Sequence, residues 1–284
     1  MMENINKETT TTHSTLHTPL SKKDRIWILD FLRGLCVLLM IFDHVVSNFI
    51  MFLPNLANQA DKLTSIVIDL FYWGRYYWVH PARVVIRALV VFTFYFVCGI
   101  CCSLSRSNLK RGLELVGVSL LITIVTYGID YFMFSGMPNT VIWFGTLHCL
   151  AIAILLVALI ELIPKEKLKL WIYLIGGVLM FIPHIYTYTV SPASPTAFNM
   201  ILGIYPLDGN VFYSADIAPL LPNIGIVFIG TALGKVIIGR KWLKPSKTPA
   251  MLHPVNFVGR NALLIYVLHQ PIVLAIMYLL VLIF

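Results

Sequence analysis

Residues 27–48 read WILDFLRGLCVLLMIFDHVVSN, and this stretch decides the fold. It is long enough, at about 1.5 Å of rise per residue, to cross roughly 30 Å of hydrocarbon as a helix. Yet it keeps Asp30, Arg33, Asp43 and His44. A charged side chain at the bilayer centre costs about 2.5 kcal/mol or more, so such groups face protein or water and mark function. On a helix advancing about 100° per residue, Asp30, Arg33, His44 and Asn48 share one stripe about 60° wide. Asp43 sits about 140° from Asp30 round the helix, off the stripe, and is expected to meet headgroups or another helix. Asp30 and Arg33, three residues apart, can pair, and His44 lies about 16 Å further along the axis. The stripe therefore has a charged inner end and a titratable outer end.

The rest of the chain fits a first helix of this kind. Of its 284 residues 58% are hydrophobic and 12% charged, whereas a soluble domain carries about 25% charged residues. Hydropathy places seven spans near 26–49, 82–104, 112–134, 141–163, 168–189, 217–238 and 261–283. Residues 25–284 are read as one all-helical transmembrane domain, and the polar, threonine-rich segment 1–24 as a disordered cytoplasmic tail. Most Lys and Arg residues fall on one set of connections, which predicts the N-terminus inside and the C-terminus outside. The same distribution explains the net charge of +8 without nucleic acid. The tyrosine- and tryptophan-rich piece Ile66 to Val79 suits an interfacial or re-entrant helix. Residues 190–216, with Pro192, Pro195 and Pro206, suit an irregular outer loop. Gly230 and Gly234 have the spacing that lets two helices approach closely. The five cysteines all fall in apolar segments and read as packing residues, with no metal site expected.

Arg25-Ile26-Trp27-Ile28-Leu29-Asp30-Phe31-Leu32-Arg33-Gly34, followed by Met40 and His44, resembles the opening of the heparan-α-glucosaminide N-acetyltransferase catalytic-domain family. The Arg33-to-His44 spacing is also similar to that of membrane acyltransferases that decorate bacterial polysaccharides. Three further stretches resemble the family in the same order. They are Phe144-Gly145-Thr146-Leu147-His148, Ala218-Pro219-Leu220-Leu221-Pro222, and Gly259 to Pro271 with its Tyr266-Val267-Leu268-His269-Gln270. The resemblance implies transfer of an acetyl group from cytoplasmic acetyl-CoA, as a co-substrate rather than a resident cofactor, to a sugar or glycolipid beyond the membrane.

That chemistry needs a base near the acceptor, donors for the developing oxyanion and cations for the CoA phosphates. His44 is the expected base, since imidazole accepts a proton near neutral pH. Asn48, one turn on, would orient it or donate to the oxyanion. His148 is either a second catalytic group or a satisfied core histidine. Tyr266, His269 and Gln270 form a polar face ahead of Pro271, read as a channel lining or a helix contact. Arg83 and Arg87, four apart near the outer end of the second span, suit an anionic glycan or lipid phosphate or snorkel to headgroups, with Asp130 a candidate partner. Asp30, Arg33 and Arg260 are assigned to the inner, CoA-binding end.

Two rival readings stay open. A proton-coupled transporter also carries intramembrane His and Asp, and would show inverted repeats and broken helices. A non-catalytic membrane assembly protein would tolerate substitution of Arg33 and His44. The expected setting is the cell membrane, with acetyl-CoA, an outer glycan or glycolipid and the bilayer as partners, and with homo-oligomerisation left open.

Overall fold

The computed structural model of the chain describes residues 26–59, 64–133, 140–189, 197–203, 214–240, 242, 246 and 248–283. The expected tail 1–24 lies outside the described residues, as do Lys62, residues 190–196 and 204–213 of the expected outer loop, and Lys241, Lys244 and Lys247.

Among the described residues every regular element is helical. In chain order they are Trp27–Met51 (α1), Leu53–Gln59 (α2), Ser65–Val79 (α3), Pro81–Leu104 (α4), Asn108–Met133 (α5), Thr146–Glu161 (α6), Glu166–Trp171 (α7), Gly177–Leu179 (α8), Ile182–Thr189 (α9), Ala197–Leu202 (α10), Leu220–Gly239 (α11), His253–Arg260 (α12) and Ala262–Ile283 (α13). Among the described residues, five of these, α1, α4, α5, α11 and α13, are long and apolar enough to cross a membrane. Their outer faces carry the residues that lipid would solvate, such as Val84, Val85 and Leu89 on α4 and Leu120, Leu121 and Ile124 on α5.

The other two expected spans take different forms, each for a local reason. Residues 140–145 are not helical, because the backbone there is tied to a loop: Ala215 N–H donates to the Val141 carbonyl, and Ser214 Oγ accepts from Trp143 N. The helix α6 thus begins only at Thr146 and is 16 residues long. The segment expected at 168–189 is divided into α7, a π turn over Ile172–Gly176, α8 and α9. Gly177 packs backbone to backbone against Gly225 of α11, and Pro183 contributes no backbone donor, so a regular ladder is interrupted at both places. Tyr173, fully buried in the π turn, donates to Glu161 Oε1 at 2.8 Å. Glu161 also receives Lys169 and Lys235, which joins the ends of α6, α7 and α11.

The core lies between α4, α6 and α11, with Tyr95, Leu150, Ile154, Val157 and Val227 at its centre. Glycines bring α4 and α11 into backbone contact. A Cβ added to Gly230 would collide with the Phe96 carbonyl, one on Gly99 with the Val227 carbonyl, and one on Gly234 with Ser103. Thr231 Oγ1, between the two α11 glycines, donates to the Gly99 carbonyl at 3.1 Å. A hydroxyl that would be costly in lipid is thereby satisfied at a helix interface.

A second close crossing joins α1 to α12, where Gly34 and Gly259 face each other's backbone. From that crossing α13 continues alongside α1 in the same direction, with His269 beside His44 and Gln270 beside Asn48. The piece expected to be interfacial or re-entrant forms the helix α3, whose Gly74 rests on Val46 and Ile50 of α1.

Replacing Gly230 with valine should force α4 and α11 apart at a cost of about 1–3 kcal/mol, as overpacking does elsewhere. The expected outcome is a lower thermal midpoint of detergent-purified protein, read by the monodisperse fraction surviving a heating series. A midpoint equal to wild type would show that this contact does not hold the pair together.

Candidate active site

The stripe on α1 is covered by protein along its whole length. Asp30 and Asn48 are buried, and Arg33 and His44 are half-buried. At one end Arg33 Nη1 donates to the Gly259 carbonyl at 3.0 Å and lies 3.4 Å from Asp30 Oδ1. Its Nη2 donates to Cys101 Sγ at 3.2 Å, so this cysteine serves as an acceptor and not as packing alone. Arg260 Nε lies 3.6 Å from the other Asp30 oxygen. One buried carboxylate is thus shared by two guanidinium groups, and the end keeps a net positive charge. Arg260, with its side chain 41% exposed, can still meet an anion from outside the bundle.

About 16 Å further along α1 stands a pair of histidines. The rings of His44 and His269 meet edge to face with centroids 5.0 Å apart. His44 Nδ1 lies 2.8 Å from the Met40 carbonyl, and His269 Nδ1 is bonded to the Tyr266 carbonyl. A carbonyl only accepts, so each neutral ring carries its proton on Nδ1 and presents Nε2 as an open lone pair. His269 Nε2 is buried and has no hydrogen-bond partner among the described residues. A buried acceptor left unsatisfied is expensive, and a catalytic role is one of the explanations for such an atom.

The next turn holds the pair in place. Gln270 Nε2 donates to Asn48 Oδ1 at 2.9 Å, and the returning contact from Asn48 Nδ2 is 3.5 Å. Asn48 therefore addresses α13, not the His44 ring, and its effect on the histidines is to fix the register of the two helices. Behind His269 the Tyr266 ring packs at 5.7 Å, and its hydroxyl donates to Asp216 Oδ2 at 2.8 Å. Asp216 also accepts from Thr146 N at 3.0 Å, at the start of α6, where a carboxylate is favoured by the helix dipole. A continuous line then runs from Asp216 through Tyr266 and His269 to His44, drawing on α1, α13 and the loop before α11.

Other residues singled out from the sequence go elsewhere. His148 uses both ring nitrogens in the turn that opens α6: Nδ1 accepts from Gly145 N at 3.2 Å, and Nε2 bonds Thr123 Oγ1 at 3.1 Å. Asp43 is where Arg83 goes, through a two-pronged contact at 2.8 and 2.9 Å, with Tyr77 OH donating to the same carboxylate at 3.1 Å. The Arg83 guanidinium is also stacked over Trp78, 3.5 Å from the ring centroid. This corrects the pairing of an arginine with Asp130, which instead accepts both donors of Thr140 at 2.8 Å. Arg87 is exposed on α4, one turn from Arg83. Asp216 was missed by sequence reasoning, which placed it in an irregular loop. The available signal was scarcity, since the chain has only 13 acids and this one lies just before Ala218-Pro219.

A family model described as heparan-alpha-glucosaminide N-acetyltransferase, catalytic, matches residues 63–271. The matched stretch includes Asp216, Tyr266 and His269 and begins after α1, so His44 is tied to it through its contact with His269. The chain matches no curated protein and no solved structure.

Because Asp43 and Arg83 are mutually satisfied and largely buried, removing one should be worse than removing both. Arg83→Met alone is expected to lower the thermal midpoint more than the double change Asp43→Leu with Arg83→Met. Equal midpoints for the single and double variants would show that solvent or headgroups compensate the lone carboxylate.

Proposed function

The chain belongs to the heparan-alpha-glucosaminide N-acetyltransferase catalytic family, a family of membrane acetyltransferases, and from that premise we propose that it transfers an acetyl group from cytoplasmic acetyl-CoA to a sugar or glycolipid outside the cell membrane. Seven crossings, with the N-terminus inside and the C-terminus outside, complete this reading. Its main support is the histidine pair, two open Nε2 lone pairs held face to edge within a helix bundle.

In this reading His44 Nε2 takes the proton from the acceptor hydroxyl or amine as the acceptor's oxygen or nitrogen bonds to the acetyl carbon. The thioester carbon–sulfur bond then breaks, and the departing thiolate receives that proton, so the products are the acetylated sugar and CoA thiol. His269, edge to face with the His44 ring, offers a second imidazole lone pair beside it. Asp216 is a positioning residue: it anchors the Tyr266 hydroxyl, and Tyr266 supports the His269 ring through its backbone carbonyl and its own ring. At the inner end Arg260 and Arg33 receive the CoA phosphates, and the Arg33-to-His44 separation of about 16 Å is bridged by the donor's thioester arm.

Acetyl-CoA consumption in nanodiscs with a glucosamine-bearing acceptor tests the assignment. His44→Ala should lower kcat at least about 100-fold while donor binding survives, as loss of a general base does. Asp216→Asn should lower kcat by about 10-fold or more through misplacement of the pair, with little change in the KM for acetyl-CoA. Arg260→Ala should act the other way, raising that KM with kcat retained. Well-folded wild type that neither binds nor consumes acetyl-CoA would overturn the donor assignment.

A further inference from the structure

The outer end of α1 borders a groove that the transfer chemistry above does not use. Between α3 and the start of α4 lies a recess of about 220 Å³ lined by Trp73, Tyr76, Tyr77, His80, Arg83 and Ile86. Its aromatic wall is ordered: Trp73 stacks on Tyr77 with centroids 6.1 Å apart, and Tyr76 meets His80 at 5.7 Å. Two of its residues, Tyr77 and Arg83, hold the carboxylate of Asp43, the residue next to His44. Asp43 precedes His44 in α1 but sits about 100° round the helix from it, so the recess and the candidate base occupy neighbouring faces of that end of α1.

Along the arginine side of α4 the surface beside the recess is apolar, with Val84, Ile86 and Val91 exposed. Arg87 is on the same face as Arg83, about 6 Å further along the axis. The two arginines differ in state. Arg83 is neutralised by Asp43, whereas exposed Arg87 has no ion pair to a described residue and sits among aliphatic side chains. A guanidinium so placed in a membrane helix is best satisfied by a phosphate, which it can grip with two parallel donors.

We propose that this groove binds a lipid-anchored sugar whose phosphate links the hydrocarbon to the sugar ring. The inference rests on the acetyltransferase reading and specifies the acceptor class. The sugar ring lies against Trp73 and Tyr77, since aromatic faces stack on the C–H faces of pyranoses. The phosphate meets Arg87, and the hydrocarbon runs along Val84 and Val91 within the bilayer. A plain phospholipid satisfies only the last two of these three features, and a free sugar only the first.

Binding is measured by native mass spectrometry of protein in neutral phosphatidylcholine nanodiscs, without acetyl-CoA. The probes are polyprenyl-phosphate-linked glucosamine, polyprenyl phosphate, phosphatidylglycerol and dodecyl glucosaminide. Wild type should bind the phosphate-linked sugar at least about 10-fold more tightly than each of the others, the scale of one charge-assisted contact or one stacked ring. Arg87→Gln should remove the preference over dodecyl glucosaminide, and Trp73→Ala the preference over polyprenyl phosphate, each at an unchanged thermal midpoint. Equal binding of phosphatidylglycerol, or affinities indifferent to Arg87, would overturn the proposal. Absence of acetyl-CoA turnover alongside the expected binding pattern would instead count against the transferase reading and leave the groove assigned.

Discussion

Everything in the arrangement depends on covering the polar stripe of α1. A helix that carries Asp30, Arg33, His44 and Asn48 on one side cannot turn that side to lipid, and α12 and α13 are what cover it. The close Gly34–Gly259 crossing makes this possible, because it brings the Gly259 carbonyl within reach of Arg33. From that crossing α1 and α13 run on in the same direction, and the amide pair of Asn48 and Gln270 fixes their register a few turns later. The histidine contact lies between these two fixed points. Its geometry is a consequence of the helix packing and not of any bond between the rings.

Acidic residues are few in this chain, and three of those inside the bundle join elements distant in sequence. Asp43 joins α1 to α3 and α4, Asp216 joins the loop before α11 to α6 and α13, and Glu161 joins α6 to the π turn and α11. In a low-dielectric interior each such carboxylate is stable only with its donors in place, so each also fixes the partners around it. The consequence for the site is direct. The loop that supplies Asp216 shapes the start of α6 and at the same time sets the position of Tyr266 behind His269.

The two ends of the stripe have different surroundings. The Asp30, Arg33 and Arg260 end is cationic and partly open, suited to a polyanion. The histidine end is enclosed between α1 and α13, and on the neighbouring face of α1 Asp43 is held by two residues of the aromatic groove. A single helix carrying both ends on one face makes their separation a fixed length, set by about 1.5 Å of rise per residue.

The membrane class, the burial of the α1 stripe and the close packing at Gly230 were legible because they depend on composition and helical period, which are local properties of a chain. The residues of the candidate site on α1 and α13 were legible for the same reason, since an ionisable or amide side chain within an apolar run stands out. The pairing of those residues was not. That Asn48 meets Gln270, that His148 closes the turn before α6 and that Arg83 takes Asp43 are facts about which helix faces which. Periodicity gives a face but not its neighbour. The interruption of the expected span at 168–189 and the role of Asp216 likewise came only from tertiary contacts, with Gly225 in one case and with Thr146 and Tyr266 in the other. Sequence by itself determined which side chains lipid would not tolerate; only the packed bundle decided which partners would satisfy them, because a buried polar group is stabilised by whatever donor the fold brings near.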